Sequence, residues 1–102
     1  MGAPKAVLDV RDLELVLAVA RAGTTVGAAS ELHLTQSAVS RGLLVAEQKL
    51  GARLFDRGGR GLAPTAAGKR LIAGAAGVLT QLVELEAAAK APAGVPTRLR
   101  LV

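Results

Sequence analysis

The sequence predicts a mainly α-helical fold with one short two-stranded wing, and three observations carry that prediction. Apolar residues recur at three- and four-residue spacing through four segments, each opened by an Asp or a Thr. A glycine-rich break, Gly58-Gly59-Arg60-Gly61, separates two short extended runs. About a third of the 102 residues are Ala or Gly, and Phe55 is the only aromatic, so the core must come from closely packed helices.

The first helix is expected over 10–22, where Asp9 and Asp12 form an N-cap pair ahead of Val10, Leu13, Val16, Leu17 and Ala20, and Gly23 closes the run. Leu15 and Val19 give that helix a second apolar face, which anticipates another helix or another chain. Thr24 and Thr25 open a short second helix whose Val26, Ala29 and Leu32 point to the core, until His33 and Leu34 interrupt the pattern. Thr35 caps a third helix in which Val39, Leu43, Ala46 and Leu50 form the buried stripe and Gly51 is the stop. Two such helices joined by a short turn make a helix-turn-helix.

Residues 53–57 and 62–64 flank the glycine loop as a two-stranded wing with Arg60 at its tip. Thr65 then caps a long helix over 66–90, roughly 37 Å at 1.5 Å per residue. It carries one apolar stripe of Leu71, Ala75, Val78, Leu82 and Leu85 beside a second of Ile72, Ala76, Leu79 and Val83. So much apolar surface on a helix longer than the core calls for a partner, and Leu71, Val78, Leu79, Leu82 and Leu85 are the expected dimerisation residues. The whole is a winged helix-turn-helix over 1–65, a linker and dimerisation helix over 66–90, and a hinge over 91–102 where Pro92 and Pro96 stop the helix. The alternating end, Arg98 to Val102, is expected to begin a further domain.

The formal charge of +5 lies wholly within residues 33–70, where Arg41, Lys49, Arg53, Arg57, Arg60, Lys69 and Arg70 face only Glu47 and Asp56. Clustered cations of this kind suit a phosphate surface, and a solvated basic face has the same composition. With one aromatic, bases cannot be stacked on ring platforms, so duplex DNA is the expected nucleic acid. An enzyme is not expected: there is no Cys, and the lone His33 has no acid at a spacing that makes an acid–base pair or a metal set. The cysteine-free chain fits a reducing, cytoplasmic compartment. Its longest uncharged stretch, 71–83, is shorter than the 18 or so residues of a membrane span, so no membrane association is expected.

On the third helix, the face opposite the apolar stripe holds Ser37, Ser40, Arg41, Leu44 and Gln48, with Gln36 at the tip. Gln pairs with an adenine edge, Arg with a guanine edge, and Ser with a base or a phosphate. Each is also an ordinary exposed residue; their combination with the wing is what points to DNA. Arg60 between glycines suits a narrow minor groove. Arg57 is a further DNA candidate, and both it and Arg53 could equally pair with Asp56 or Glu47.

Three blocks now carry a resemblance. The run Ala28-Ala29-Ser30-Glu31-Leu32-His33-Leu34-Thr35-Gln36-Ser37-Ala38-Val39-Ser40-Arg41, then Glu47 to Arg57, then Leu62-Ala63-Pro64-Thr65-Ala66-Ala67-Gly68, resembles the N-terminal domain of LysR-type transcriptional regulators. The resemblance implies a sequence-specific, double-stranded-DNA-binding winged helix-turn-helix that works as a homodimer, or a tetramer in a longer protein. It implies no cofactor here, because a small-molecule effector would bind a C-terminal domain beyond this chain. By position, base and phosphate contacts fall to Gln36, Ser37, Ser40 and Arg41, to Thr25 and Thr35 at helix starts, and to Arg60 in the wing.

The sequence departs from the family where aromatics are usual, holding Val16, Leu17 and Thr25, and where polar or basic residues are usual, holding Leu44 and Val45. Leu44 could meet a thymine methyl or cover a partner protein. The alternatives are therefore a dimeric scaffold with a degenerate helix-turn-helix, and the winged domain of molybdate-responsive regulators.

Overall fold

A computed structural model describes residues 2–92. The expected tail beyond Pro92 lies outside the described residues. Four helices and one hairpin follow in order: α1 Val10–Ala22, α2 Thr25–Leu32, α3 Gln36–Leu50, β1 Phe55–Gly58, β2 Gly61–Pro64 and α4 Ala66–Lys90.

Local chemistry sets these boundaries. Asp9 and Asp12 bond each other's backbone N–H at 2.9 Å, a reciprocal cap on α1. Thr24, Thr35 and Thr65 each accept the N–H three residues on, at 3.0 to 3.1 Å. Gly23 and Gly51 close α1 and α3 in the left-handed conformation. His33 closes α2 in the same conformation at φ 57°, with the Leu34 N–H returning to Ala29 O at 2.9 Å.

The core is assembled around α1, which α2, α3, α4 and β2 all touch. That arrangement corrects the expected burial of α1. Leu15 and Val19, read as its second face, lie at the centre with Val16 and Ala18, whereas Val10 is exposed and Leu13, Leu17 and Ala20 are half-buried. Leu15 of the extra face lies against Gly42 of α3, while α4 packs its Leu71 and Ile72 on the core. Phe55 and Leu54, fully buried, close the core from the hairpin side.

Two further expectations fail for geometric reasons. Val26 is 61% exposed, because α2 turns Thr25, Ala28 and Ala29 inward. Leu50 is 39% exposed at the end of α3, beyond the edge of the core, while Val39, Leu43 and Ala46 are buried as expected. Gly42, a poor helix residue, sits where α3 presses on α1: a Cβ there would lie 2.7 Å from Leu15 Cδ2.

α4 is seated by its first turns. Thr65 donates from its hydroxyl to Arg53 O at 2.6 Å and from its N–H to Leu54 O at 3.0 Å. Gly68 lies so close to the hairpin that a Cβ would fall 2.0 Å from Leu54 O. Leu71 thus serves the core of its own chain, not only the expected dimer stripe. Beyond Ala75, Val78, Val83 and Leu85 stand exposed, with Leu79 and Leu82 half-buried. Among the described residues α4 is long and apolar enough to cross a membrane by length and composition alone, although its longest uncharged stretch is 71–83. Its seating on α1 and β2, and the charges of Lys69, Arg70, Glu84 and Glu86, are those of a surface helix with an open apolar side.

Candidate nucleic-acid interface

The helix-turn-helix presents the first turn of α3 to solvent. Gln36 and Ser37 are exposed there, and the Thr35 and Ser37 hydroxyls lie 3.3 Å apart. First-turn N–H groups have no helical partner and carry the positive end of the dipole, so this end favours an anion. Gln36 Nε2 donates to Thr25 Oγ1 at 3.1 Å. Thr25, expected among the DNA-contacting residues, is only 8% exposed and stands behind Gln36. Its structural place is that of a support.

Gln36, Ser37, Ser40, Arg41 and Leu44 line one shallow concave surface on α3. A larger groove of about 600 Å³ separates α3 from the hairpin, with Ser40, Leu44 and Gln48 on one wall and Arg53 and Arg57 on the other. The structure therefore brings together Gln36, Ser37, Ser40 and Arg41 and sets Arg57 across the groove from them. Arg60 stands apart at the hairpin tip.

The hairpin is antiparallel, pairing Phe55 with Pro64 and Arg57 with Leu62, and Gly59 and Arg60 form its two-residue tip. The Leu62 N–H donates to Gly23 O at 2.9 Å, which ties the wing to the turn between α1 and α2. Gly61 makes that approach possible: its φ is 108°, and a Cβ would lie 2.5 Å from Gly23 O. The hairpin that carries the tip cation is thus anchored to the turn between α1 and α2.

Glu47 is the positioning residue that sequence reasoning assigned elsewhere. Its Oε2 accepts the Leu54 N–H at 2.7 Å and the Phe55 N–H at 3.3 Å, so α3 and β1 are locked together. The considered pairing of Glu47 with Arg53 or Arg57 does not occur. Arg53 donates to Phe55 O at 3.1 Å and approaches Asp56 at 3.8 Å, with both side chains exposed, an ion pair of little weight. Arg57 forms no ion pair among the described residues. The only sequence sign of the role of Glu47 was its place beside the buried Ala46.

Lys49 is also withdrawn from the expected basic face, because its Nζ donates to Asp12 Oδ2 at 2.7 Å. Burial pushes the Asp12 carboxyl up, but the Lys49 ammonium and the Asp9 N–H together outweigh it and hold Asp12 below the usual range. The same hydrogen bond raises Lys49. The cations left near α3 and the wing are Arg41, Arg53, Arg57 and Arg60.

Residues 10–69 match the family model of the bacterial regulatory helix-turn-helix proteins, lysR family. The chain belongs to the LysR family. This LysR-family chain is 43% identical over 75 residues to an uncharacterized HTH-type transcriptional regulator in the ibpB-leuC intergenic region of Azotobacter vinelandii, covering 74% of this chain and 52% of that protein. Its fold matches the DNA-binding domain of CbnR in a DNA complex with a TM-score of 0.78 and 31% identity, over 81% of this chain and 95% of that one. The BenM DNA-binding domain in complex with benA site 1 DNA matches with a TM-score of 0.77 and 26% identity, over 81% of this chain and 96% of that one. The chain spans about half the length of the Azotobacter relative and 29% of full-length CbnR. The winged helix-turn-helix expected from the sequence is the fold observed.

Proposed function

We propose that this LysR-family domain reads double-stranded DNA as a homodimer, with α3 in the major groove and the wing over the flanking minor groove. The observation that carries the reading is the convergence of Gln36, Ser37, Ser40 and Arg41 on one concave surface of α3, together with a hairpin that carries Arg60 at its tip and is anchored through the Leu62–Gly23 hydrogen bond. Gln and Arg offer the paired donors and acceptors that base edges require, and the wing cations add phosphate or minor-groove attraction. The DNA complexes of the similar CbnR and BenM domains support DNA as the partner. The open apolar side of α4, with Val78, Leu79, Leu82 and Leu85, is the proposed dimer contact; two copies would place two α3 helices about one DNA turn apart. A regulator of this kind acts on the bacterial chromosome, hence in the cytoplasm.

The test is fluorescence anisotropy on a pool-selected duplex of about 25 base pairs, long enough for two half-sites, against a scrambled one at several salt concentrations. Selective binding is expected, with Gln36→Ala costing about 1 to 3 kcal/mol and relaxing preference at one base pair. Leu82→Asp is expected to shift the protein toward monomer in sedimentation and to weaken two-half-site binding. Equal affinity for both duplexes would instead favour the scaffold reading, to which the exposed Leu44 lends some substance.

A further inference from the structure

We propose that Leu44 is a specificity-determining residue that reads a thymine methyl group on the floor of the major groove; the proposal rests on the DNA-reading function above. Leu44 is 53% exposed, a large apolar side chain amid polar ones on the surface lined by Gln36, Ser37, Ser40 and Arg41. At about 100° per residue it projects within some 60° of Ser37, Ser40, Arg41 and Gln48, directly between the first-turn residues and the last polar one. Val45 lies a further turn of about 100° round and leaves that face.

The chemistry of the groove selects the occupant. Base edges offer donors, acceptors and one apolar group, the C5-methyl of thymine, and only the last suits a branched alkyl side chain. A phosphate cannot be the partner, since Leu44 would strip its water without replacing a hydrogen bond. The charge on α3 agrees with this. Its only cations are Arg41 and Lys49, and Lys49 is held by Asp12 at 2.7 Å. Past Arg41, α3 therefore has no free cation to grip the backbone, and the large side chain it offers the groove there is Leu44.

Uracil in place of thymine removes the methyl and leaves every hydrogen-bonding group of the edge unchanged, so a thymine-to-uracil scan of the selected duplex isolates the contact. At one position in each half-site the substitution is expected to weaken native binding about three- to fivefold, the worth of one buried methyl group. Leu44→Ala is expected to bind the thymine and uracil duplexes alike, while keeping its dependence on the base pair read by Gln36. Because Leu44 is exposed, this variant is expected to retain the native melting temperature. Leu44→Arg is expected to tighten selected and scrambled duplexes together, to steepen the salt dependence by about one counterion, and to lose the thymine preference. A scan with no position at which native and Leu44→Ala differ would overturn the assignment while leaving DNA reading intact, and would leave Leu44 as a surface for another protein. A native domain that did not separate selected from scrambled DNA would overturn both. Retention of the thymine preference in Leu44→Arg would also overturn it.

Discussion

The Gln36 side-chain amide donates to the Thr25 hydroxyl at 3.1 Å, joining the first residue of α3 to the first residue of α2. One N–H of the amide is occupied, and the other N–H and the carbonyl oxygen stay free, the pair that an adenine edge needs. Thr25 thus holds the Gln36 amide, the proposed base-reading group, in one orientation.

Thr25→Val keeps the shape and removes the hydroxyl. Because Gln36 is exposed and water can replace the lost partner, the stability cost is expected to stay near 1 kcal/mol or below. Selectivity at the Gln36 base pair is expected to fall several-fold. The comparison of the preferred duplex with one substituted at that pair, alongside a urea titration, checks both; unchanged selectivity would show that Gln36 needs no support.

The Asp12–Lys49 pair makes stability depend on pH at both ends of the scale. Asp12 is lowered in the fold, so the unfolded chain binds the proton more readily. Its contribution is complete above the ordinary carboxylate pKa of about 3.9 and is lost as pH falls through the folded value. Lys49 is raised, so its share is complete below about 10.4 and is lost as pH rises through the folded value. Asp12→Asn is expected to lose about 1 kcal/mol at neutral pH, with the deficit shrinking as the pH approaches 2. Urea midpoints at several pH values measure this, and a deficit constant with pH would assign the loss to the cap alone.

Two glycines of α4 are expected to respond to alanine with opposite signs. Gly74 faces open space inside a helix, so Gly74→Ala is expected to stabilise by about 0.4 to 1 kcal/mol. Gly68→Ala would place a Cβ 2.0 Å from the Leu54 carbonyl oxygen, and is expected to cost about 3 kcal/mol through displacement of α4 from the hairpin. Equal effects in chemical denaturation would mean that α4 is not seated as described.

The four helices and the wing were legible in the sequence because their ends are made by short-range bonds. Asp9 with Asp12, Thr24, Thr35 and Thr65 each satisfy first-turn N–H groups from within three residues, and Gly23 and Gly51 supply the left-handed stops. The polar face of α3 was legible for a similar reason, since helical periodicity alone sets Ser37, Ser40 and Arg41 away from Val39, Leu43 and Ala46, with Gln36 at the tip.

Tertiary structure alone decided which apolar side chains the core accepts and which polar ones serve as supports. Periodicity gave α1 two apolar faces, and only the packing of α2, α3 and α4 around it made Leu15 and Val19 its centre. It read Val26 as buried and Glu47 as an ion-pair partner, but burial of Val26 depends on how α2 rolls, and Glu47 answers to N–H groups seven and eight residues away. Thr25 against Gln36, Lys49 against Asp12 and Gly61 against Gly23 join residues far apart in the chain. A cap is satisfied by its own neighbours, whereas each of these contacts exists only once the helices have packed.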